Sequence, residues 1–168
     1  RGLPVEHIVG LPDTVIKESK ARIKTAIKNS GFEYSVRQYT INLAPADLPK
    51  EGAYVDLAIA VGLLICNDQL SIPVDTFFVG ELSLDGSVKP VRGIIAICEM
   101  VAKTAVKRIV VPYDNKDEAA LVEGIEVIPV KTLLQLVSVD FMHSYESSIA
   151  WVSNEPEKIG DYQDVKGQ

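Results

Sequence analysis

The segment of residues 49–56, Pro-Lys-Glu-Gly-Ala-Tyr-Val-Asp, is where this sequence could best hold chemistry, because it leads directly into the apolar run of residues 57–66. Asp56 lies where that run would begin a helix. A carboxylate there could accept hydrogen bonds from free backbone N–H groups and stabilise the positive end of the helix dipole. A rigid loop at a helix start can carry a nucleophile or bind an anion. We therefore treat this loop as the first candidate site.

Other side chains capable of nucleophilic or acid–base chemistry are spread along the chain. Four serines are possible nucleophiles: Ser19, Ser30, Ser83 and Ser87. Three carboxylates are possible acids or bases: Glu81, Asp85 and Asp56. A serine needs an adjacent base to act, and these serines fall in or beside a predicted helix and a predicted turn. The pattern favours helix-surface, capping and turn roles over catalysis.

A basic stripe follows one edge of the predicted first helix. Its members recur at helical spacing: Lys17, Lys20, Lys24 and Lys28. Lysines in such a row could neutralise DNA phosphates, and Arg22 and Arg37 could extend the patch. No aromatic side chain is interleaved with the lysines to stack on bases. The sequence therefore favours a solvated helix face, with nucleic-acid contact as the alternative.

Cysteine and histidine usage gives no indication of a metal site. Cys66 and Cys98 fall inside apolar helical stretches without a Cys-x-x-Cys spacing, and His7 and His143 are far apart. Zinc sites in proteins use closely spaced pairs of such ligands. We expect both cysteines to be reduced core residues and predict neither a metal nor a cofactor within this chain.

Charge is distributed unevenly along the 168 residues, of which 47% are hydrophobic and 24% charged. Residues 1–50 hold eight Lys/Arg against five Asp/Glu, whereas residues 51–168 hold nine against eighteen. An anionic partner is therefore expected to approach the first third. No apolar run reaches the roughly 18 residues that a membrane-spanning helix needs, so we expect no membrane span.

Hydrophobic periodicity predicts an alternation of helices and strands. The predicted helices are 14–30, ended by Gly31, then 56–66, 92–105, a short helix after Asn115, and 131–138. The predicted strands are 3–9, 35–43, 77–84, 88–91, 108–112 and 125–128. Asp85-Gly86 predicts a hairpin with a type I′ turn. The hairpin requires antiparallel pairing and the alternation favours parallel pairing, so the sequence predicts an α/β fold with a mixed sheet.

The apolar periodicity stops near residue 140. Residues 140–160 are rich in Ser, Asn, Glu, Pro and Gly and are predicted to be a linker. Residues 161–168 then read as the start of a further module. Because the chain begins with Arg1-Gly2, without methionine, we expect it to be part of a longer protein.

Several blocks of sequence, in this order, resemble one family: Ile8-Val9-Gly10-Leu11-Pro12-Asp13-Thr14, Lys17-Glu18-Ser19, Lys28-Asn29-Ser30-Gly31-Phe32, Ile41-Asn42-Leu43-Ala44-Pro45-Ala46-Asp47-Leu48, Lys50-Glu51-Gly52 with Asp56-Leu57, Gly80-Glu81-Leu82-Ser83-Leu84-Asp85-Gly86 and Glu118-Ala119-Ala120-Leu121-Val122. The resemblance is to the bacterial magnesium-chelatase-like AAA+ ATPases, in the branch of the ComM competence helicase. It implies that residues 1–139 form a domain similar to the Lon protease domain and its ribosomal-protein relatives. The tail, Asp164-Val165-Lys166-Gly167-Gln168, resembles the segment that introduces the ATPase module.

The resemblance also implies where the catalytic pair of a Lon-type protease would lie. In that family a nucleophilic serine follows the glycine of a Pro-Lys-Asp/Glu-Gly loop by two residues, and a lysine base follows a later glycine by two residues. Here the serine position holds Tyr54, after Gly52, and the lysine position holds Ile95, after Gly93. The resemblance therefore implies that this chain has lost the catalytic pair.

The function implied is that of a non-catalytic accessory domain, assisting assembly or DNA engagement by a cytoplasmic AAA+ ATPase in DNA uptake or recombination. ATP and Mg would belong to the ATPase module, since no GxxxxGK[ST] phosphate-binding loop occurs in the chain. The expected partners are the chain's own ATPase module, further copies in a ring, and DNA. Two alternatives stay open: an active Lon-type serine peptidase and a stand-alone nucleic-acid-binding module.

Overall fold

The computed structural model describes residues 6–9, 13–35, 39–42 and 53–141. Loop residues 49–52, Arg37, His143 and nearly all of the predicted linker lie outside this part of the chain. The helices are α1 (Asp13–Asn29), α2 (Asp56–Cys66), α3 (Ile94–Ala102) and α4 (Lys116–Ala119). The strands are β1 (Glu6–Val9), β2 (Tyr39–Asn42), β3 (Thr76–Phe78), β4 (Glu81–Leu82), β5 (Val88–Lys89), β6 (Arg108–Pro112) and β7 (Glu126–Val130). Three 3-10 turns cover Ala53–Val55, Tyr113–Asn115 and Leu134–Val137.

Parallel pairing predominates among the described strands. β3, β6 and β7 form a parallel sheet with β6 in the centre, and β1 pairs with β2 in parallel. β4 and β5 form an antiparallel hairpin, which an antiparallel bridge from Ser87 to Thr132 joins to the segment after β7. The predicted α/β class is confirmed. The predicted strand 77–84 is divided instead between β3 and β4, which belong to different sheets.

Successive residues of the central strand β6 face two different cores. Val110 packs with buried residues of α1 and α2, which we call the α1–α2 core. Ile109 and Val111 pack with buried residues of α3 and α4, the α3–α4 core. This alternation is what a strand with both faces covered produces. The parallel sheet therefore lies between two helical layers.

The helices agree with their predicted patterns in part. In α1, Ile23, Ala26 and Ile27 are buried as the periodicity predicts. α2 is apolar on nearly all sides but is not buried all round, because Gly62, Ile65 and Cys66 are exposed. Cys66 is therefore not a core residue, whereas Cys98 is. The predicted helix 131–138 is only a 3-10 turn, Leu134–Val137.

The turn between β4 and β5 is not the predicted type I′ turn. Such a turn needs positive φ at both central residues, but among the described residues Asp85 is not one with positive φ, and Gly86 has φ +85°. The backbone N–H of Gly86 donates to the Ser83 carbonyl (2.9 Å), and that of Ser83 donates to the Ser87 carbonyl (2.9 Å). This is a three-residue hairpin loop closed by a glycine in the left-handed region, the other common solution for hairpins.

Candidate functional site

The start of α2 is anchored by the segment that follows β3. The backbone N–H of Gly80 donates to the Tyr54 carbonyl (2.8 Å), and the N–H of Leu57 donates to the Gly80 carbonyl (3.1 Å). A Cβ atom at Gly80 would lie 2.6 Å from Cγ1 of Val88, so a side chain there would force the segments apart. These contacts fix the backbone at the position that the resemblance assigns to the protease nucleophile.

The two positions of the implied catalytic pair have different environments. Tyr54 is partly buried and packs against the α3–α4 core, together with Val91 and Ile97 of the loop and helix that follow the hairpin. Ile95 is 38% exposed and is not part of that core. The structure thus places an aromatic ring among apolar side chains at one position and a half-exposed aliphatic side chain at the other.

α2 begins at Asp56, as the sequence predicts, but its N-cap residue Val55 makes no side-chain cap hydrogen bond and the Asp56 carboxylate forms a buried ion pair. The carboxylate is fully buried and accepts hydrogen bonds from Arg22 Nε (2.6 Å) and Nη2 (3.1 Å). Arg22 Nη2 also donates to Ser19 Oγ (3.2 Å), and the backbone N–H of Leu82 donates to Asp56 at 3.4 Å. The pair joins α1, α2 and β4. A fork of two donors on one carboxylate is the strongest geometry for such a contact.

Burial and the ion pair act in opposite directions on the Asp56 carboxyl. Burial raises its pKa and is the larger influence, while the hydrogen bond from Arg22 lowers it. The same hydrogen bond raises the pKa of Arg22. Ser19 is also fully buried, so its predicted place on the helix surface is wrong. Because a guanidinium stays protonated, Arg22 cannot serve as a base for Ser19.

Sequence reasoning missed this pair, although α1 carried a signal for it. Ser19, Arg22 and Ala26 recur at three- and four-residue spacing on the buried side of the helix, which also carries Ile23 and Ile27. A charge on the buried side of an amphipathic helix requires a partner, because an unpaired buried charge is costly. Asp56 follows 34 residues later, too far along the chain for any local spacing rule to connect the two.

The four lysines of the basic stripe lie together on the outer side of α1, next to its buried side. Lys17, Lys24 and Lys28 are exposed and Lys20 is half-buried. Lys24 Nζ lies 5.6 Å from the ring centroid of Tyr34, and that ring packs against the α1–α2 core. Arg22 does not extend this surface as the sequence suggested, because Asp56 holds it.

The remaining serines and carboxylates occupy structural positions. Ser30 is buried at the end of α1, contrary to expectation, and Glu81 is exposed on β4. Asp85 accepts hydrogen bonds from the Ser87 backbone N–H (2.9 Å) and Oγ (2.7 Å). Those bonds lower the pKa of Asp85, which makes it a poor proton acceptor. The predicted turn role of Asp85 is confirmed.

Within the described ranges, no group of three or more His, Cys, Asp or Glu side chains could hold a metal ion. A cleft of about 150 Å³ lies beside α4 and β7, and Tyr54 and Ile95 are not among its lining residues. Its lining combines apolar side chains with charges at the rim: Lys116, Asp117, Ala120, Val122, Ile125, Glu126, Val127 and Pro129. In the part of the chain that is described, no helix has the length and apolar character to cross a membrane.

Comparison with known proteins identifies the family. Residues 1–115 match the family described as subunit ChlI of Mg-chelatase. The chain belongs to this family. The ChlI-family chain is 46% identical over 126 residues to YifB of Escherichia coli, covering 74% of this chain and 25% of YifB. It is 39% identical over 138 residues to competence protein ComM of Haemophilus influenzae, covering 81% of this chain and 27% of ComM.

A more distant similarity supports the Lon-like fold of the ChlI-family chain. Lon protease 2 of Bacillus subtilis is 29% identical over 126 residues, which cover 74% of this chain and 22% of the protease. The predicted family and its ComM branch are confirmed. The chain spans about a quarter of the length of these relatives.

Proposed function

We propose that residues 1–139 act as a non-catalytic, Lon-like accessory domain of a magnesium-chelatase-like AAA+ ATPase. The observation that carries this proposal is the pair of residues at the implied catalytic positions. Tyr54 is partly buried in apolar surroundings, and Ile95 lies at the surface of α3. A phenol has a reference pKa of about 10, and an isoleucine cannot accept a proton. Losing both members of a cooperating pair leaves at most background activity.

Neighbouring basic groups do not replace the lost lysine. Arg92 is exposed in the loop before α3, and an arginine side chain does not serve as a general base. Ser19 is a buried serine with a charged neighbour, but that neighbour is Arg22, which already donates to Asp56. These contacts support a scaffold that keeps the protease fold without its chemistry.

In this proposal the remainder of the protein supplies the motor. Phe141 still packs in the α1–α2 core, and beyond it the rest of residues 140–160 acts as a linker. Residues 161–168 begin an ATPase module that binds ATP and Mg and assembles into a ring in the cytoplasm. The accessory domain assists assembly or the engagement of DNA in uptake or recombination. Membership of the ChlI family and similarity to the competence protein ComM support this assignment.

A peptidase assay tests the non-catalytic role against the alternative of an active Lon-type peptidase. The 168-residue chain is incubated with casein or a fluorogenic peptide, with Bacillus subtilis Lon protease 2 as the positive control. We expect no turnover above background and no labelling by a serine-reactive probe. Turnover that Tyr54→Phe or the mutation of one serine abolishes would establish the peptidase alternative.

Nucleic-acid binding by the α1 lysines is a second candidate function, which the exposure of Lys17, Lys24 and Lys28 favours. The net charge of −6 opposes it. Four phosphate contacts on duplex DNA predict a log–log salt dependence of about −3 to −4. Replacing Lys17, Lys20, Lys24 and Lys28 with Gln should remove this binding. Unchanged duplex binding by that variant would exclude the stripe.

A further inference from the structure

Two neighbouring strands of the parallel sheet end beside a tyrosine with two lysines over its ring. β6 ends at Pro112 and β7 at Val130, which are register partners. The next residues are Tyr113 and Lys131, and Lys131 Nζ lies 4.2 Å from the Tyr113 ring centroid. Lys116 Nζ, from the start of α4, lies 4.6 Å from the same centroid. The ring and both lysines therefore lie at the carboxyl edge of the parallel sheet.

The surroundings of Tyr113 keep this ring in place and accessible. Tyr113 is 37% exposed and belongs to neither core. The adjacent Asn115 exchanges two hydrogen bonds with the Val91 backbone, accepting from its N–H at 2.8 Å and donating to its carbonyl at 3.0 Å. This exchange fixes the turn against the loop that carries the exposed Arg92. The ring therefore stands on a braced turn at the surface.

We propose that Tyr113, Lys116 and Lys131 form a contact site for single-stranded nucleic acid. A base stacks on the Tyr113 ring, and the two ammonium groups neutralise the flanking phosphates. This inference rests on the DNA engagement in the proposed function and assigns it a surface. Aromatic rings beside cations are the usual platform for single strands. The ring that Lys24 of α1 faces, Tyr34, is half-buried against the α1–α2 core, whereas Tyr113 is exposed.

The charges around the ring limit how tightly the site can bind. Asp114 and Asp117 are exposed, and Asp117 pairs with Lys116 at 3.1 Å. An exposed pair of this kind is weak and can exchange for a phosphate. Stacking of a base on an aromatic ring is stronger than an exposed cation–π contact, so a base can displace a lysine from the ring. Two phosphate contacts on a single strand predict a log–log salt slope of about −1.4.

The test measures the fluorescence anisotropy of a labelled oligothymidine titrated with the 168-residue chain at low salt. We expect Tyr113→Leu to weaken binding about fivefold or more, which corresponds to the low end of the range for losing one stacked base. We expect the double variant Lys116→Gln/Lys131→Gln, which loses both phosphate contacts, to weaken binding by a similar factor. Tyr113→Phe should bind like the wild type, because stacking needs the ring and not the hydroxyl. The matched control is Lys103→Gln/Lys107→Gln, which removes two exposed lysines near the amino end of β6.

Circular dichroism melting first establishes that every variant is folded. Wild-type affinity in Tyr113→Leu and in the double variant would overturn the inference, as would an equal loss in the Lys103/Lys107 control. Loss of binding only in the four-lysine variant of α1 would also overturn it, while leaving DNA engagement intact. Absence of wild-type binding would refute both this site and DNA engagement, but not the non-catalytic role, which the peptidase assay tests separately.

Discussion

The Arg22–Asp56 pair is the residue-level feature that most constrains this domain. Asp56 is fully buried, whereas the Arg22 side chain is 23% exposed. Removing one partner of a buried pair is costly because the other charge is left without compensation. The cost therefore depends on which partner is removed, since only the arginine can reach water.

We predict that Arg22→Met destabilises the domain more than Asp56→Asn does. Arg22→Met leaves the buried carboxylate without a partner, which should cost about 3–5 kcal/mol. Asp56→Asn loses the charged hydrogen bonds but leaves a partly solvated arginine, which should cost about 1.5–3 kcal/mol. Urea unfolding monitored by circular dichroism measures both values. Asp117→Asn, which breaks an exposed pair, is the control and should leave the unfolding midpoint unchanged. Equal losses from the two pair variants would contradict this prediction.

The stability of Arg22→Met should depend on pH more strongly than that of the wild type. Burial already raises the pKa of Asp56, and removing Arg22 takes away the main opposing influence. A carboxyl whose pKa is higher in the folded than in the unfolded state stabilises the fold below the unfolded pKa of about 3.9, and this contribution is lost as the pH rises through the folded pKa. The deficit of Arg22→Met relative to the wild type should therefore be smaller at pH 5 than at pH 7. An equal deficit at both pH values would contradict a raised pKa of Asp56 in this variant.

The two cysteines should react at different rates. Cys66 is exposed at the end of α2, whereas Cys98 is buried in the α3–α4 core. Burial raises the pKa of Cys98 to about 11, and only the thiolate reacts. Titration with a thiol reagent at pH 8 should label one cysteine quickly and the second only after unfolding. Cys66→Ser should abolish the rapid phase, and its persistence in that variant would contradict the assignment.

At the level of elements, the β4–β5 hairpin is docked by its loop against the end of α1. Asn29 Nδ2 donates to the Leu84 carbonyl (2.7 Å), and the N–H of Leu133 donates to the Gly86 carbonyl (2.9 Å). A Cβ atom at Gly86 would lie 2.1 Å from Ser30 Oγ. The loop is thus held between α1 and the segment after β7. Gly86 is required there both by its positive φ and by the close approach of Ser30.

We predict that Gly86→Ala is more destabilising than Gly124→Ala. Both glycines have nearly the same positive φ, but nothing lies within 4 Å of a Cβ atom built at Gly124. Gly124→Ala should therefore cost only the left-handed strain, about 1–2 kcal/mol, and Gly86→Ala that strain plus the clash. Thermal unfolding of both variants gives the difference. Adding Ser30→Ala to Gly86→Ala should recover part of the extra loss of stability. Equal losses of stability in Gly86→Ala and Gly124→Ala would show that the loop adapts freely.

On the scale of the whole molecule, the sheet separates two helical layers of different chemical character. The layer with α1 carries the lysine stripe, and the layer with α3 and α4 lies in the acidic part of the chain. The second layer also contains Tyr54. Two surfaces are proposed to bind anions, the outer face of α1 and the Tyr113 cluster. Neither surface has the glycine-rich backbone that wraps a phosphate chain.

We predict that the 168-residue chain does not bind ATP. No GxxxxGK[ST] segment occurs in the sequence, and a P-loop needs those glycines and its lysine to hold the phosphates. Calorimetry with Mg-ATP at millimolar concentration should give no saturable heat. Binding in the micromolar range would show that the chain carries a nucleotide site that its motifs do not reveal.

The sequence by itself determined the local features of this protein. Apolar spacing identified α1 and its buried face, since one helix face is set by residues three and four apart. The alternation of predicted helices and strands identified the α/β class, and the ordered blocks that include Gly80-Glu81-Leu82 identified the family. The positions of Tyr54 and Ile95 also came from the sequence, and their loss of catalytic function is a proposal that the peptidase assay tests.

Only the tertiary structure decided the contacts between distant segments. It paired Arg22 with Asp56, divided residues 77–84 between two sheets, and brought Tyr113 beside Lys131. The turn type at Asp85-Gly86 was also decided there, because Gly86 packs against Ser30 of α1. Local spacing records which face of an element is apolar, but not which distant element covers it. A buried charge, a divided strand and a ring beside two lysines depend on that choice of neighbour.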